Sequence, residues 1–189
     1  VADEMLRIAR RYKDTLQIAF KPHPSLFTEL CKHPDWGRER AAEFYRQWDE
    51  MANTQLETGE YTDLFKTSDA MIHNSGSFAC EYLYVDKPVL FTARDRAATI
   101  APLNRLGRAC IDAHYFATDP EGVETFIEEV VLGGADTMSS VRHQTLASEI
   151  FQTAGNADAS TAVYADLLES FGWELGQRRQ PDAIKPEPT

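Results

Sequence analysis

The sequence predicts an α/β fold in which a mainly parallel sheet is flanked by helices. Short apolar runs suited to buried strands alternate along the chain with longer segments whose apolar residues recur at helical spacing. With 43% hydrophobic residues among 189, the chain also has enough apolar side chains for the core of one domain. We therefore expect one α/β domain over residues 1–176 and a disordered, proline-rich tail over residues 177–189.

The first third of the chain contains helix and strand patterns in alternation, interrupted by one stiff loop. Apolar spacing predicts a helix over 3–13, a buried strand at Leu16–Phe20, a helix opened by Pro24, an amphipathic helix over 38–53, an edge strand at Asn53–Glu57 and a short helix at Tyr61–Lys66. The loop Lys21–Pro24 follows the first strand directly, because its two prolines prevent both helix and strand from continuing.

The remainder of the chain continues the alternation. The pattern predicts a strand at Asp69–His73, a loop at Asn74–Ser77, a helix over Phe78–Tyr84, a strand at Val89–Phe91, a basic loop at Arg94–Arg105, a last strand at Ala109–Ile111, a helix between Asp119 and Gly133, and helices over 136–151 and 158–172 separated by residues 154–157. Ligands of open parallel sheets bind beyond the carboxyl ends of the strands. We expect the loops Lys21–Pro24 and Asn74–Ser77 to lie together at that edge.

Composition excludes several classes of function. The net charge of −11 disfavours binding to nucleic acid, because neutralisation of phosphates supplies most of that affinity. Three widely spaced cysteines without a CxxC pair disfavour a zinc site or disulfide framework and favour a reducing compartment. The chain contains no GxGxxG, GxxxxGK[ST] or GxSxG motif, and no carboxylate cluster indicates a metal. We expect neither a metal nor another cofactor.

The loop Asn74–Ser77 has the composition of a phosphate-binding turn. Gly76 permits close approach of the backbone, Ser75 and Ser77 add hydroxyl groups, and the following helix presents unpaired N–H groups. The alternative is an ordinary helix cap, since serine and asparagine are common capping residues. One turn further on, Glu81 is placed to accept hydrogen bonds from ribose hydroxyls, with a solvated glutamate as the alternative.

Lys21 and His23 form a second candidate pair in one stiff loop. Together they offer a fixed positive charge and a proton donor that titrates near neutral pH, which suits a departing phosphate. A structural histidine that caps the next helix is the alternative for His23. His73 is a weaker candidate, and the remaining histidines have no partner pattern.

Several motifs occur in an order that resembles one known family. They are Phe20-Lys21-Pro22-His23-Pro24, Tyr61-Thr62-Asp63-Leu64-Phe65, the stretch from Ser68 to Ser77, Asp86-Lys87-Pro88-Val89-Leu90-Phe91, and Gly155-Asn156-Ala157-Asp158-Ala159-Ser160. Over roughly residues 15–170 this order is similar to the C-terminal half of CDP-glycerol glycerophosphotransferases. Those enzymes are teichoic-acid and capsule polymerases of the GT-B type. Where the family commonly has Asp-Tyr-Ser-Ser, this chain has Asn74–Ser77.

The resemblance implies a Rossmann-like nucleotide-binding half of a GT-B enzyme. Lys21 and His23 match the lysine and histidine at the nucleotide phosphates, and His23 is the candidate catalytic residue. Gly76 and Ser77 match the family's paired serines, while Glu81 matches its later acidic residue; with Ser75 they complete the candidate substrate-binding set. The implied activity transfers glycerol phosphate from CDP-glycerol, or a related donor, to a polyol-phosphate or glycan acceptor.

The resemblance also implies partners outside this chain. The acceptor side of the cleft would come from a missing N-terminal GT-B half, so we expect the chain alone to bind nucleotide without turning it over. A cytoplasmic location is implied, with other regions providing contact with the inner face of the plasma membrane. Two alternatives stay open: a nucleotide-sugar glycosyltransferase or UDP-sugar 2-epimerase half, and a non-catalytic binding domain.

Overall fold

The computed structural model describes residues 2–151 and 159–170, and its first part builds a two-stranded parallel sheet. The elements of this part are α1 (Ala2–Arg11), β1 (Ile18–Phe20), α2 (Leu26–Lys32), α3 (Gly37–Glu50) and β2 (Thr54–Leu56). β1 pairs with β2 so that Ile18 lies opposite Thr54. The helix α3 is amphipathic and buries Ala41, Phe44 and Trp48, as its apolar spacing predicts.

The middle of the chain builds a three-stranded parallel sheet in the order β3–β4–β5. Its elements are α4 (Thr62–Thr67), β3 (Met71–His73), α5 (Phe78–Glu81), β4 (Val89–Thr92), α6 (Arg96–Ile100), α7 (Arg105–Asp112) and β5 (Tyr115–Ala117). A 3₁₀-helical turn, Tyr82–Val85, continues α5. The central strand β4 is an apolar run that is buried over Val89–Phe91, which is typical of a parallel strand covered on both faces.

Helices complete the described part of the chain. α8 (Pro120–Thr125) begins at Asp119, whose carboxylate accepts a hydrogen bond from the Gly122 N–H, and Pro120 occupies the first turn. It continues as a π-helical segment, Phe126–Leu132, which buries three apolar side chains. α9 (Ser139–Thr145) continues similarly over Leu146–Ile150, and α10 spans Ala159–Ser170.

α1 contributes to two apolar clusters. Leu6 and Ala9 pack with Phe44 and Trp48 beside the first sheet. Ile8 and Tyr12 pack into the second cluster, whose other buried members are Leu90, Ala117, Val123, Phe126, Ile127 and Val130. Leu6 and Ala9 lie on one side of α1 and Ile8 on another, while Tyr12 directly follows the helix. The second cluster also receives partly buried side chains from β3 and β5, so it covers one face of the larger sheet.

The structure confirms the α/β class and the parallel strands, but it corrects three details. Residues predicted as a loop at Arg94–Arg105 include the helix α6, because Asp95 caps it by accepting from the Ala98 N–H. Ala109–Ile111 is helical rather than the last strand, because it lies within α7, which Asn104 caps by accepting from the Gly107 N–H. The last strand is β5.

The third correction concerns the sheet itself. The described strands form two separate sheets, so β1 and β3 are not joined in one ladder. Strand pairing therefore does not place Lys21–Pro24 and Asn74–Ser77 at one edge of one sheet, as the sequence had led us to expect.

The chain divides into two compact units, Val1–Leu146 and Ala147–Thr189. The five strands found among the described residues, and every residue of the candidate site, belong to the first unit. The predicted separation of the last two helices at residues 154–157 and the predicted tail at 177–189 lie outside the described residues. The predicted domain boundary at residue 176 stays a prediction.

Candidate functional site

The carboxyl ends of β3, β4 and β5 meet at one edge of the larger sheet, because the three strands are parallel and in register. The loop Asn74–Ser77 leaves β3 at this edge, and Ala93–Asp95 leaves β4 beside it. The hydroxyl of Thr92 donates to the carbonyl of His73 at 3.3 Å, which ties the two strand ends together. This edge is where open α/β sheets bind ligands.

Within the loop Asn74–Ser77, hydroxyl and backbone groups face an open space. Ser75 Oγ and Ser77 Oγ are 3.1 Å apart, and a Cβ placed on Gly76 would meet nothing within 4 Å. The side chain of Ser77 makes no capping hydrogen bond to α5. The simple cap that the sequence offered as an alternative is therefore not formed by Ser77. Within residues 2–151 and 159–170, no partner is seen for the N–H groups of Gly76 and Ser77.

His73, the last residue of β3, holds the first turn of this loop in place through a hydrogen bond. It is buried, and its Nδ1 accepts a hydrogen bond from the Ser75 N–H at 3.2 Å. Burial, together with the nearby His114 ring, lowers the pKa of His73 to about 3, so the ring is neutral at physiological pH. His73 acts as a structural support here rather than as a proton donor.

Lys21 and His23 follow β1. The Lys21 ammonium donates to the carbonyl of Gly59 at 2.5 Å, which leaves two of its three protons for other acceptors. His23 is exposed, and its Nδ1 accepts from the Ser25 N–H at 3.2 Å while the Ser25 hydroxyl lies 2.8 Å away. This places Nδ1 as an acceptor and the ring proton on Nε2. Ser25 is the N-cap residue of α2, so His23 hydrogen-bonds to the residue before the helix rather than to a helical N–H, as a capping histidine would. Its Nε2–H is not used by this contact.

Glu81 lies on α5 and is half-buried. Its Oε2 accepts from the Tyr61 hydroxyl at 2.8 Å, and this hydrogen bond raises the pKa of Tyr61. A groove of about 310 Å³ opens beside the pair. Its walls are mostly aromatic or apolar, with one carboxylate and one ammonium group among them, and its lining residues are Tyr61, Thr62, Phe65, Lys66, Glu81, Tyr84 and Val85.

The structure adds Arg94 to the residues expected from sequence. Arg94 is exposed and lies two residues beyond the end of β4, on the loop next to Asn74–Ser77. In the part of the chain that the structure describes, no ion pair or hydrogen bond holds its guanidinium. The basic character of this segment was visible in the sequence, but its position beside β3 follows from the strand order.

The described residues form neither a cluster of metal ligands nor a helix suited to cross a membrane. Among the described residues, no three histidine, cysteine, aspartate or glutamate side chains are arranged to hold a metal ion. Over the same residues, none of the helices has the length and apolar character needed to cross a bilayer.

Comparisons with known proteins give no further information about this site. Comparisons of the chain with family models, with curated proteins and with solved structures found no match. The family resemblance therefore depends on the short ordered motifs alone.

Proposed function

We propose that this chain is the nucleotide-binding, Rossmann-like half of a GT-B transferase that moves glycerol phosphate from CDP-glycerol, or a related nucleotide-activated donor, to a hydroxyl of a polymer or glycan. Two kinds of group would recognise the donor. Cations and hydroxyls would bind its phosphates, and a carboxylate beside aromatic rings would bind its nucleoside.

The observation that carries the proposal is the segment Gly59–Tyr61. Its first residue holds the ammonium of Lys21, and its last holds the carboxylate of Glu81. These two side chains are far apart in the sequence, yet both contact one three-residue segment. A ligand with a negative charge at one end and vicinal hydroxyls at the other would use both contacts, and a nucleotide has that character.

The nucleoside end of the donor fits the groove beside Glu81. A carboxylate has several acceptor positions, so the Tyr61 hydroxyl leaves room for ribose hydroxyls. The aromatic walls supplied by Tyr61, Phe65 and Tyr84 suit a flat heterocyclic base.

The phosphate end fits the edge formed by Asn74–Ser77 and Arg94. The open space at Gly76 admits a phosphate, the two serine hydroxyls donate to it, and a guanidinium matches its oxygens in pairs. These groups would stabilise the charge that develops on the leaving phosphate.

In the proposed reaction, the acceptor oxygen attacks the phosphorus that carries glycerol. The new P–O bond forms as the bond to the CMP oxygen breaks, so glycerol phosphate is joined to the acceptor and CMP leaves. His23 would donate a hydrogen bond from its Nε2–H to the leaving phosphate and keep the proton, while CMP leaves as the phosphate anion. The base that takes the acceptor's proton would belong to the N-terminal GT-B half, since no second such group accompanies His23 in the described loop.

Calorimetric titration of the 189-residue chain with CDP, CMP, UDP, GDP and CDP-glycerol tests the proposal. We expect binding of CDP and CDP-glycerol that weakens about tenfold or more in Lys21→Met, because a charge-assisted hydrogen bond contributes roughly 1.5–3 kcal/mol. Lys32→Met is the matched control, since Lys32 is an exposed lysine on α2 that forms a surface pair with Glu29. It removes the same charge and should leave affinity unchanged.

The outcomes separate the candidate functions. Preference for UDP over CDP would favour a nucleotide-sugar enzyme, and absence of binding to every nucleotide would favour a non-catalytic domain. Release of CMP from CDP-glycerol by the chain alone would contradict the proposed division of the active site between two halves.

A further inference from the structure

Two of the three cysteines lie in direct contact. Cys80 is on α5, Cys110 is on α7, and their sulfur atoms are 2.8 Å apart with the thiol of Cys80 oriented to donate. A disulfide bond is about 2.05 Å long, so the sulfurs need to approach by less than 1 Å to be joined. The elements are thus already positioned for a crosslink, although both cysteines are thiols in the structure.

The two sulfurs differ in exposure, which assigns them different chemical roles. Cys80 is partly exposed, whereas Cys110 is completely buried. An oxidant arriving from solvent therefore reaches Cys80 first, and Cys110 is the neighbour that completes the reaction. Cys31 lies on α2, in another part of the fold, and serves as an internal reference thiol.

We propose that Cys80 and Cys110 form a reversible dithiol–disulfide site that reacts with hydroperoxides. The Cys80 thiolate attacks a peroxide oxygen, the O–O bond breaks, and sulfenic acid and one water or alcohol are produced. The Cys110 thiol then attacks the Cys80 sulfur; the S–S bond forms, and the hydroxyl leaves with the thiol proton as water. The sulfurs together lose two electrons, the peroxide gains them, and a dithiol reductant reverses the change by exchange.

The disulfide would act on the helix that follows the loop Asn74–Ser77. The Cys80 N–H donates to the Ser77 carbonyl at 3.2 Å, and Glu81 is the next residue along the chain. A bond from Cys80 to α7 would therefore restrict the turn that carries two candidate site residues. The crosslinking itself does not depend on the proposed function.

Treatment of the native chain with a small excess of hydrogen peroxide, followed by peptide mapping without reduction, tests the site. We expect a single intrachain link between the Cys80 and Cys110 peptides, a mass loss of two hydrogens, and one remaining titratable thiol. The melting temperature should rise by roughly 5–10 °C, because the link closes a loop of about 30 residues in the unfolded chain. Dithiothreitol should restore the original mass and melting temperature.

Variants separate the two cysteines. In a Cys31→Ser background, Cys110→Ala should stop the reaction at a Cys80 sulfenic acid, which dimedone traps, whereas Cys80→Ser should leave Cys110 unmodified because it is buried. Cys31→Ser alone should crosslink as the parent does. Peroxide-treated parent chain in which Cys80 and Cys110 are both alkylated as thiols would overturn the proposal, and so would links through Cys31 or between chains. The mapping needs no variant, so a variant that does not fold leaves the test intact.

Discussion

Gly76 allows the loop Asn74–Ser77 to be tested without disturbing the fold. Its φ is not in the left-handed region, and the space around its Cβ position is open. We expect Gly76→Val to leave the free energy of unfolding within about 0.5 kcal/mol of the parent. It should nevertheless weaken CDP binding by about tenfold or more, because the isopropyl group occupies the space proposed for phosphate.

Parallel urea melts and calorimetric titrations of Gly76→Val provide the measurement. A variant that unfolds and binds CDP like the parent would show that this loop is not part of the ligand site. The roles proposed for Lys21 and Glu81 would then still be tested by their own variants.

Arg94 gives a second prediction for a single residue. If its guanidinium pairs with donor phosphate, Arg94→Gln should weaken CDP binding by about tenfold and reduce the dependence of affinity on salt. Arg38→Gln is the control, because Arg38 is an exposed arginine of α3 and does not belong to the loops that follow β3 and β4. Equal effects of the two substitutions would indicate a general effect of net charge.

The sequence predicted the elements that carry the candidate residues, but not their contacts. The pattern placed Lys21 and the serines in loops, because prolines and glycine restrict the backbone locally, and placed Glu81 one turn into the helix that follows, where α5 has it. It could not predict that Tyr61 binds Glu81 or that Arg94 lies beside β3. Both depend on which distant elements are neighbours, and that is decided by packing.

At the scale of elements, α9 is anchored by a completely buried arginine. The Arg142 guanidinium donates to both oxygens of Asp136 and lies 3.6 Å from Asp86 Oδ1. Although burial alone would raise the pKa of Asp136, the hydrogen bond and charge of Arg142 hold that pKa below its usual range. The pair fixes the loop after the π-helical segment to the start of α9.

Arg142→Met should therefore destabilise the chain, because it leaves Asp136 without its cation. Breaking a buried ion pair costs about 3–5 kcal/mol, and the partial exposure of Asp136 reduces the expected loss to about 2–3 kcal/mol. Arg46→Met on α3 is the control, since Arg46 forms exposed pairs with Glu43 and Glu50 on its own helix. Urea unfolding of the two variants checks the difference; a similar small loss in both would contradict an anchoring role for Arg142.

Helix α7 shows why a short helix with few apolar positions is difficult to predict from hydrophobic periodicity. Cys110 and Ile111 are its only buried residues, so it has too few apolar positions to reveal a helical period. The cap at Asn104 is the signal for a helix here, whereas the short apolar run Ala109–Ile111 favours a strand. Longer amphipathic elements such as α3 were predicted well because their spacing repeats over several turns.

At the scale of the whole molecule, we expect two buried histidines to make the free energy of unfolding depend on pH. Burial is the main reason that the pKa of His73 falls to about 3 and that of His114 to about 4 in the folded chain. In the unfolded chain both titrate near 6.5, so below that pH the unfolded state binds more protons than the folded state. Stability is therefore full above about pH 6.5 and decreases as the pH falls towards 4.

Each histidine should lower the free energy of unfolding by about 1.4 kcal/mol for each unit that the pH falls in this window. The two rings lie close together, with their centroids 5.2 Å apart, and the charge of Arg142 opposes protonation of His114. Urea melts between pH 7 and 4 provide the measurement. His114→Gln should flatten the slope, whereas His33→Gln, at an exposed position, should not; equal slopes in both variants would contradict the assignment to the buried ring.

The arrangement of strands into two sheets could not have been predicted from the sequence. Each strand has only three or four residues, and every apolar run could have joined a single ladder. Strand pairing is determined by contacts between distant parts of the chain, which local pattern does not encode. The α/β class was predictable because it requires only the alternation of elements.

The double role of α1 has a consequence for how the first unit opens. Because Leu6 and Ile8 belong to different apolar clusters, loss of this helix would expose the cores beside both sheets at once. Amides of β1 and β4 should then exchange their hydrogens for deuterium through the same global opening rather than through separate local ones. Ile8→Ala should reduce protection in both strands together, although Ile8 packs into only the cluster that contains Leu90.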